Sequence, residues 1–227
     1  MSFSGFTKEA PRFLFENRTV NSKEWYDSHK SEYKKYVYEP FVELVRELAP
    51  VMTEIDEKFI TVPSKLISRV RRDTRFTKDK SLYRDNAWLV FLRDKTYMSI
   101  TPCYWFEINQ EGSSHGVGYY KAKPETMSRM RDLILSGHPS FRSALKCYES
   151  QDKFRIGGEK YKRSKFTDKP DNIKSWLVRK NIYFECVVKG YSLAFSKELP
   201  DILKEDFRML KPIYEFFLTA ESTQETS

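Results

Sequence analysis

The sequence predicts an α+β domain in which a mainly antiparallel sheet is flanked by N-terminal and C-terminal helices. Near both ends of the chain, apolar residues recur at the three- and four-residue spacing of an amphipathic helix. Between these ends, short apolar runs follow one another with short polar connections, which is typical of antiparallel strands. We therefore expect a single domain over residues 1–220 and a polar tail over residues 221–227.

The N-terminal part of the chain is predicted to be helical. A short helix is expected over residues 10–16, and Asn21 with Glu24 three residues later is typical of the start of the next one. The apolar stripe of that second helix consists of Trp25, His29, Tyr33, Val37, Phe41, Leu44, Leu48, Met52 and Ile55. Because proline lacks a backbone donor, Pro40 and Pro50 are expected to break or restart the helix.

After Pro63 the pattern changes to that of strands, since apolar residues either alternate with polar ones or form short continuous runs. Strands are predicted over residues 67–72, 87–92, 97–101, 104–109 and 117–120, with a turn over residues 110–114.

The second half of the chain mixes both patterns. Helices are predicted after Pro124 and after Pro139, where proline suits the first helical position. Gly157-Gly158 predicts a two-residue hairpin. A helix over residues 171–178, a strand over residues 182–188 and a closing helix over residues 199–218 complete the expected elements.

Composition excludes several classes of protein. In 227 residues, an aromatic content of 15% argues against a disordered chain, and no apolar run approaches the roughly 20 residues that span a bilayer. Residues 1–11 lack the pattern of a signal peptide. The chain has three widely separated cysteines, so we expect reduced thiols and no structural zinc site. These observations predict a soluble, cytoplasmic protein without membrane contact.

The net charge of +8 is unevenly distributed along the chain. Residues 63–95 contain ten Lys or Arg against four acidic residues, and residues 142–180 contain twelve against five. Both stretches also contain aromatic residues, which either stack on bases or pack in the core. A basic face would attract phosphate groups, although surface cations are also common without any ligand.

Residues 69–84 carry the densest charge, with seven Lys or Arg and two Asp. Arginine presents planar, bidentate donors that match phosphate or carboxylate. We expect the surrounding cations to lower the pKa of Asp73, which makes it a poor general acid or base near neutrality. The candidate ligand-binding residues are Arg69, Arg72, Asp73, Arg75, Lys78, Lys80, Tyr83, Arg84, His115 and Lys162.

The same motif resembles that of a known family. Its characteristic residues are Arg69, Arg72-Asp73, Arg75-Phe76 and Lys78-Asp79-Lys80. In this arrangement the chain resembles the conserved hypothetical proteins catalogued as domain of unknown function 2461. Further matching positions are Phe13-Leu14, Asn17, Trp25, Pro40, Gly116, Gly118, Lys162-Arg163, Pro170 and Leu177. The sequence departs from the family at Ser114-His115, where a more glycine-rich run is expected. The resemblance implies an α+β domain and assigns no catalytic residue.

Three hypotheses follow for the motif. In the first, it binds an anionic partner, either nucleic acid or a phosphorylated small molecule, with Lys160, Lys162 and Arg163 of the second basic stretch closing the site. In the second, the protein is an enzyme of unspecified reaction with a cleft between the motif and the 112–120 strand, where His115 is either a titratable ligand contact or part of a structural turn. In the third, Asp73, Asp79 and Asp85 pair with the cations and the motif is purely architectural. The sequence assigns no cofactor, metal or oligomeric state.

Overall fold

The structure is a computed structural model that describes residues 2–75, 77–163 and 166–222. Its helices are α1 (Glu9–Val20), α2 (Lys23–Ser28), α3 (Lys30–Tyr33), α4 (Glu39–Ile55), α5 (Pro63–Leu66), α6 (Pro124–Leu135), α7 (Pro139–Glu149), α8 (Asp171–Leu177), α9 (Leu199–Met209) and α10 (Lys211–Ser222). Its strands are β1 (Ala87–Phe91), β2 (Cys103–Ile108), β3 (Gly112–Gly118), β4 (Arg155–Gly157) and β5 (Tyr183–Lys189). A π-helical turn (Lys34–Tyr38) leads into α4, and a short 3-10 helix (Lys95–Tyr97) follows β1.

The five strands form one antiparallel sheet in the order β1-β2-β3-β5-β4. The predicted α+β class, with an antiparallel sheet and helices at both ends of the chain, is therefore confirmed. At the β4 edge, Arg155 lies opposite Glu185 and Gly157 lies opposite Tyr183.

The contacts within the chain divide the described residues into two compact units. The first unit comprises those within Met1–Phe91, Trp105–His115 and Val187–Glu205. In its core, α4 buries a stripe at three- and four-residue spacing that includes Phe41, Leu44 and Leu48. The Phe6 ring packs 4.8 Å from the Phe41 ring, measured between centroids.

The second unit comprises the described residues within Leu92–Tyr104, Gly116–Cys186 and Asp206–Ser227. Its core is built around Trp176 of α8, which is buried against Phe141, Phe184 and Phe216 at centroid distances of 5.4, 4.8 and 5.8 Å. Aromatic pairs at such distances stabilise a core beyond the area that they bury. The prediction of one domain over residues 1–220 stays a prediction, and most of the expected polar tail lies outside the described residues.

Several predicted elements in the N-terminal half are wrong in detail. Residues 67–72 form only two isolated bridges, Ile67 with Leu89 and Arg71 with Tyr83, instead of a regular strand. Residues 97–101 are not a strand, because the Asp94 side chain accepts a hydrogen bond from Thr96 N and starts a tight turn. Pro50 lies inside α4 on an exposed face and does not end the helix.

Three predictions around the central strands and the later elements are also wrong in detail. The predicted turn over residues 110–114 is shorter, because the Asn109 side chain accepts from the amides of Glu111 and Gly112 and β3 begins at once. Gly157-Gly158 is not a two-residue hairpin, since β4 pairs with β5. The closing helix is divided into α9 and α10.

Candidate anion-binding loop

The segment 69–84 is a loop on two antiparallel arms in the first unit. Arg72 N donates to Leu82 O (2.8 Å), and Arg84 N donates to Val70 O (3.0 Å). Val70 and Tyr83 are buried, so the arms are fixed to the core by apolar side chains. Phe76 of the motif lies outside the described residues.

Asp79 is the centre of an ion-pair cluster that braces this loop. Its Oδ2 accepts hydrogen bonds from Arg18 Nη2 (2.6 Å) and from Arg72 Nη1. Its Oδ1 accepts from the backbone amide and the hydroxyl of Ser81, at 3.0 and 2.7 Å. The hydrogen bond from Arg18, followed by those from Ser81 and Arg72, holds the pKa of Asp79 well below its usual range. Arg72, predicted as a ligand-binding residue, therefore has an internal carboxylate partner.

The end of α1 supplies two further contacts to the loop. Arg18 Nη1 donates to Tyr83 O (2.9 Å), and Asn21 Oδ1 accepts from Leu82 N (2.6 Å). Asn21 has a left-handed backbone (φ 53°) at the C-terminus of α1, while Ser22 is the N-cap of α2. The prediction of Asn21 as a helix N-cap is therefore wrong. Arg18 and Asn21 were missed as site residues, because they lie far from the motif in sequence.

Asp73 and Arg75 form a second, local pair on the exposed side of the loop. Asp73 Oδ1 accepts from Arg75 Nε (2.9 Å), and Asp73 Oδ2 accepts from Arg75 Nη2 (2.7 Å). These hydrogen bonds lower the pKa of Asp73 to about 2, which confirms the direction expected from the sequence. The Arg75 side chain is 76% exposed, so this pair is solvated and adds little stability.

The remaining cations of the loop differ in their surroundings. Arg69, Arg71, Lys78 and Lys80 are exposed and form no ion pair with any residue in the described ranges. Lys80 Nζ donates to the carbonyl of Thr74 (2.8 Å), which holds the two sides of the loop together. The Arg84 guanidinium lies 4.6 Å from the centroid of the Trp88 ring. The loop thus presents a group of cations whose charge is not internally neutralised.

Three other predicted site residues have distinct positions. Tyr83 is buried, and its ring packs 5.2 Å from the Tyr26 ring, so it is a packing residue of the loop. His115 lies inside β3 with 0% exposure, and not on the predicted turn. Lys162 belongs to the second unit and is exposed between β4 and α8. Its predicted role in closing the site stays a prediction.

Loss of the Asp79 charge is expected to loosen the loop without unfolding the protein. In Asp79→Asn, the amides of Ser81 and Leu82 should exchange with solvent about tenfold faster than in the parent protein, because local opening controls exchange. Since the pKa of Asp79 is lowered on folding, its stabilising contribution is present above the pKa of free aspartate and disappears as the pH falls through the folded-state value.

Hydrogen exchange measured by mass spectrometry checks this prediction, with Asp85→Asn as the matched control. Asp85 directly follows the loop, is exposed and forms no ion pair among the residues described. Equal exchange rates over residues 77–84 in the two variants would contradict the bracing role of Asp79.

Neither metal ligation nor membrane spanning is indicated by the described ranges. Within residues 2–75, 77–163 and 166–222, no three His, Cys, Asp or Glu side chains are arranged to hold a metal ion. Over the same residues, no helix combines the length and the hydropathy that crossing a bilayer requires.

The fold and the loop define a class: an α+β protein whose basic, arginine-rich loop is braced by one ion-paired aspartate, Asp79. The chain belongs to the family of conserved hypothetical proteins DUF2461, whose model matches residues 9–216. The resemblance inferred from the motif is thereby confirmed over nearly the whole chain. No curated protein matches the sequence.

Proposed function

We propose that the 69–84 loop binds phosphate groups, in nucleic acid or in a phosphorylated small molecule. One observation carries this proposal. The two aspartates of the loop pair with Arg18, Arg72 and Arg75, and four further cations remain exposed without a carboxylate partner in the described part of the chain. Those four cations are Arg69, Arg71, Lys78 and Lys80.

A loop whose backbone is already held by hydrogen bonds suits phosphate binding for a physical reason. Binding costs free energy for every side chain and loop that must be ordered, so a loop that is already fixed binds more tightly. The hydrogen bonds of Asp79 and Asn21 hold the backbone, and the exposed cations need only to orient their side chains. Arginine forks then engage phosphate oxygens in pairs, and the positive field accelerates encounter.

The ion pairs of the loop also show which of its cations can be replaced in a binding experiment without disturbing the structure of the loop. Arg72 pairs with Asp79, so its removal would disturb the loop as well as any ligand. Arg69, Arg71 and Lys78 lack such a role, because they are exposed and form no ion pair among described residues. Their substitution therefore tests binding without removing an ion pair that holds the loop.

The variant Arg69→Ala/Arg71→Ala/Lys78→Ala should bind nucleic acid more weakly. We expect the affinity at low salt to fall by about tenfold or more, and the slope of log affinity against log salt to fall by roughly 2, since each lost phosphate contact contributes about 0.7–0.9. The measurement is fluorescence anisotropy of labelled single-stranded and double-stranded DNA and RNA, at low and at physiological salt.

The matched control is Lys8→Ala/Lys30→Ala/Lys58→Ala, which removes the same number of exposed charges from the first unit. Circular dichroism verifies that both variants are folded. Inorganic phosphate and a nucleoside triphosphate serve as competitors, and competition without nucleic-acid binding would assign the loop to small phosphorylated ligands. Equal losses in the two triple variants, or no binding of any probe at low salt, would overturn the proposal in favour of an architectural motif.

A cytoplasmic location is part of the same proposal. Cys103, Cys147 and Cys186 are free thiols, which is the usual state in a reducing compartment. Burial raises the pKa of the Cys103 thiol to about 12, so this cysteine is protonated and unreactive at neutral pH.

A further inference from the structure

A second surface, in the second unit, exposes an aromatic side chain on a rigid turn. Tyr120 follows β3 and is 83% exposed, which is unusual for a tyrosine. The turn is held by one side chain: Asn181 Nδ2 donates to the carbonyls of Tyr119 (3.0 Å) and Tyr120 (3.1 Å), and Asn181 Oδ1 accepts from Ala122 N (2.8 Å). Tyr120 thus projects from a backbone that is already ordered.

The neighbouring segment 159–163 presents another tyrosine. Tyr161 is 46% exposed, and its backbone amide donates to Val178 O (2.9 Å). The Arg131 guanidinium lies 5.2 Å from the centroid of its ring, and Lys180 Nζ lies 5.7 Å away. Arg131 is itself fixed by hydrogen bonds to two backbone carbonyls in the segment 177–179, at 3.1 and 2.7 Å.

Both tyrosine-bearing segments flank the same stretch, residues 178–182. On one side Tyr119 N donates to Ile182 O (3.0 Å), and on the other Lys180 N donates to Glu159 O (2.7 Å). In the sheet β5 lies between β3 and β4, so the segment after β3 and the segment after β4 both contact the residues that lead into β5. Together they form what we call the two-tyrosine surface, residues 119–123 and 159–163.

The charge of this surface is strongly positive. Its exposed cations, none of which forms an ion pair within the described ranges, are Lys121, Lys123, Lys160, Lys162 and Arg163. Glu159 is the one acidic residue in the two segments, and it is paired with Lys180 (2.5 Å). No carboxylate of these segments therefore offsets the five cations.

We propose that the two-tyrosine surface binds single-stranded nucleic acid, with Tyr120 and Tyr161 stacking on bases and the lysines contacting phosphates. Exposed aromatic rings beside cations are the features by which proteins hold unpaired strands, because every unpaired base offers a face for stacking. A duplex keeps its bases stacked internally, so it can use the cations but not the rings. This inference is independent of the 69–84 loop, which lies in the first unit.

The test is anisotropy of a labelled oligothymidylate and a labelled oligouridylate with the full chain. Tyr120→Ala should weaken binding by about tenfold, the effect of losing one stacked base, whereas Tyr120→Phe should retain the parent affinity. Leu135→Ala is the control, since Leu135 is an exposed apolar residue on α6 of the same unit. A labelled duplex of the same length should bind more weakly and should not respond to Tyr120→Ala.

The outcomes distinguish this proposal from that for the loop. If Tyr120→Ala loses binding and Arg69→Ala/Arg71→Ala/Lys78→Ala does not, the result supports the two-tyrosine surface alone. If the triple variant loses binding and Tyr120→Ala does not, the result supports the loop alone. Parent-like affinity in both Tyr120→Ala and Tyr161→Ala, or equal affinity for duplex and single strand, would overturn the inference.

Discussion

Replacing Gly158 by alanine is expected to lower the free energy of unfolding by about 3 kcal/mol. Gly158 has a positive φ of 109°, where a residue with a side chain is strained by about 1–2 kcal/mol. In addition, a Cβ at this position would overlap the carbonyl oxygen of Asn181, and overpacking against backbone costs about 1–3 kcal/mol. The resulting displacement would affect Gly158, which follows β4, and Asn181, whose side chain holds the turn at Tyr120.

The matched control is Gly137→Ala, at a glycine that also has a positive φ (63°) but open space around it. This variant should lose only about 1 kcal/mol, which is the conformational cost alone. Urea unfolding followed by tryptophan fluorescence measures both variants, since Trp176 is buried in the core of the same unit. Equal stabilities would show that the segment at Gly158 shifts easily and that the close approach to Asn181 has no energetic consequence.

The elements that the sequence predicted well are those defined by local periodicity. The stripe from Phe41 to Ile55 is apolar at helical spacing, and α4 buries it. The continuous apolar run at residues 87–92 became β1, which contributes to the core of its unit. Such patterns need only neighbouring residues for their interpretation.

The predicted elements that were wrong depend on contacts between residues that are far apart in the sequence. Gly157-Gly158 has the composition of a tight hairpin, but β4 pairs with β5, whose first residue is Tyr183. Strand pairing across such a separation leaves no trace in local composition, because the partner is selected by packing in the folded chain. The same reason explains why residues 67–72, with strand-like alternation, form only isolated bridges.

The 69–84 loop contains one ion pair that the local sequence predicts and another that it does not. The pairing of Asp73 with Arg75 could be anticipated, since two residues of opposite charge at that spacing meet within one turn. The pairing of Asp79 with Arg18 could not, because the two lie 61 positions apart. Because the contact between Arg18 and Asp79 could not be inferred, the sequence offered no reason to distinguish among the arginines of the motif. The structure separates Arg72, which braces the loop, from Arg69 and Arg71, which are exposed.

Arg179 braces the second unit in a comparable way, but with carbonyls in place of carboxylates. Its guanidinium is buried and donates to Ser175 O (3.2 Å), Gly158 O (2.6 Å) and Ile156 O (3.1 Å). Burial lowers the pKa of Arg179, although arginine remains charged at any physiological pH. In the described part of the chain it has no acidic partner, so the backbone around residues 156–158 supplies its hydrogen bonds.

Arg179→Met is therefore expected to lower the free energy of unfolding by about 3 kcal/mol, because three partly buried carbonyls lose a donor and each unsatisfied group costs about 1 kcal/mol or more. Hydrogen exchange over residues 156–163 should accelerate in the same variant, and binding of an oligothymidylate should weaken if Tyr161 and its neighbouring cations need a fixed backbone. Urea unfolding measures the first effect and mass spectrometry the second.

The control for Arg179→Met is Arg142→Met, at an exposed arginine of α7 that forms no ion pair with any described residue. Both substitutions remove one positive charge, so a difference between them reports the buried hydrogen bonds and not the net charge. Arg179→Lys keeps the charge but cannot reach three carbonyls with a single ammonium, and it should fall between the parent and Arg179→Met. If Arg179→Met were as stable as Arg142→Met, the hydrogen bonds of the Arg179 guanidinium would contribute nothing to the free energy of unfolding. The 159–163 segment would then be held by the backbone hydrogen bonds of Glu159 and Tyr161.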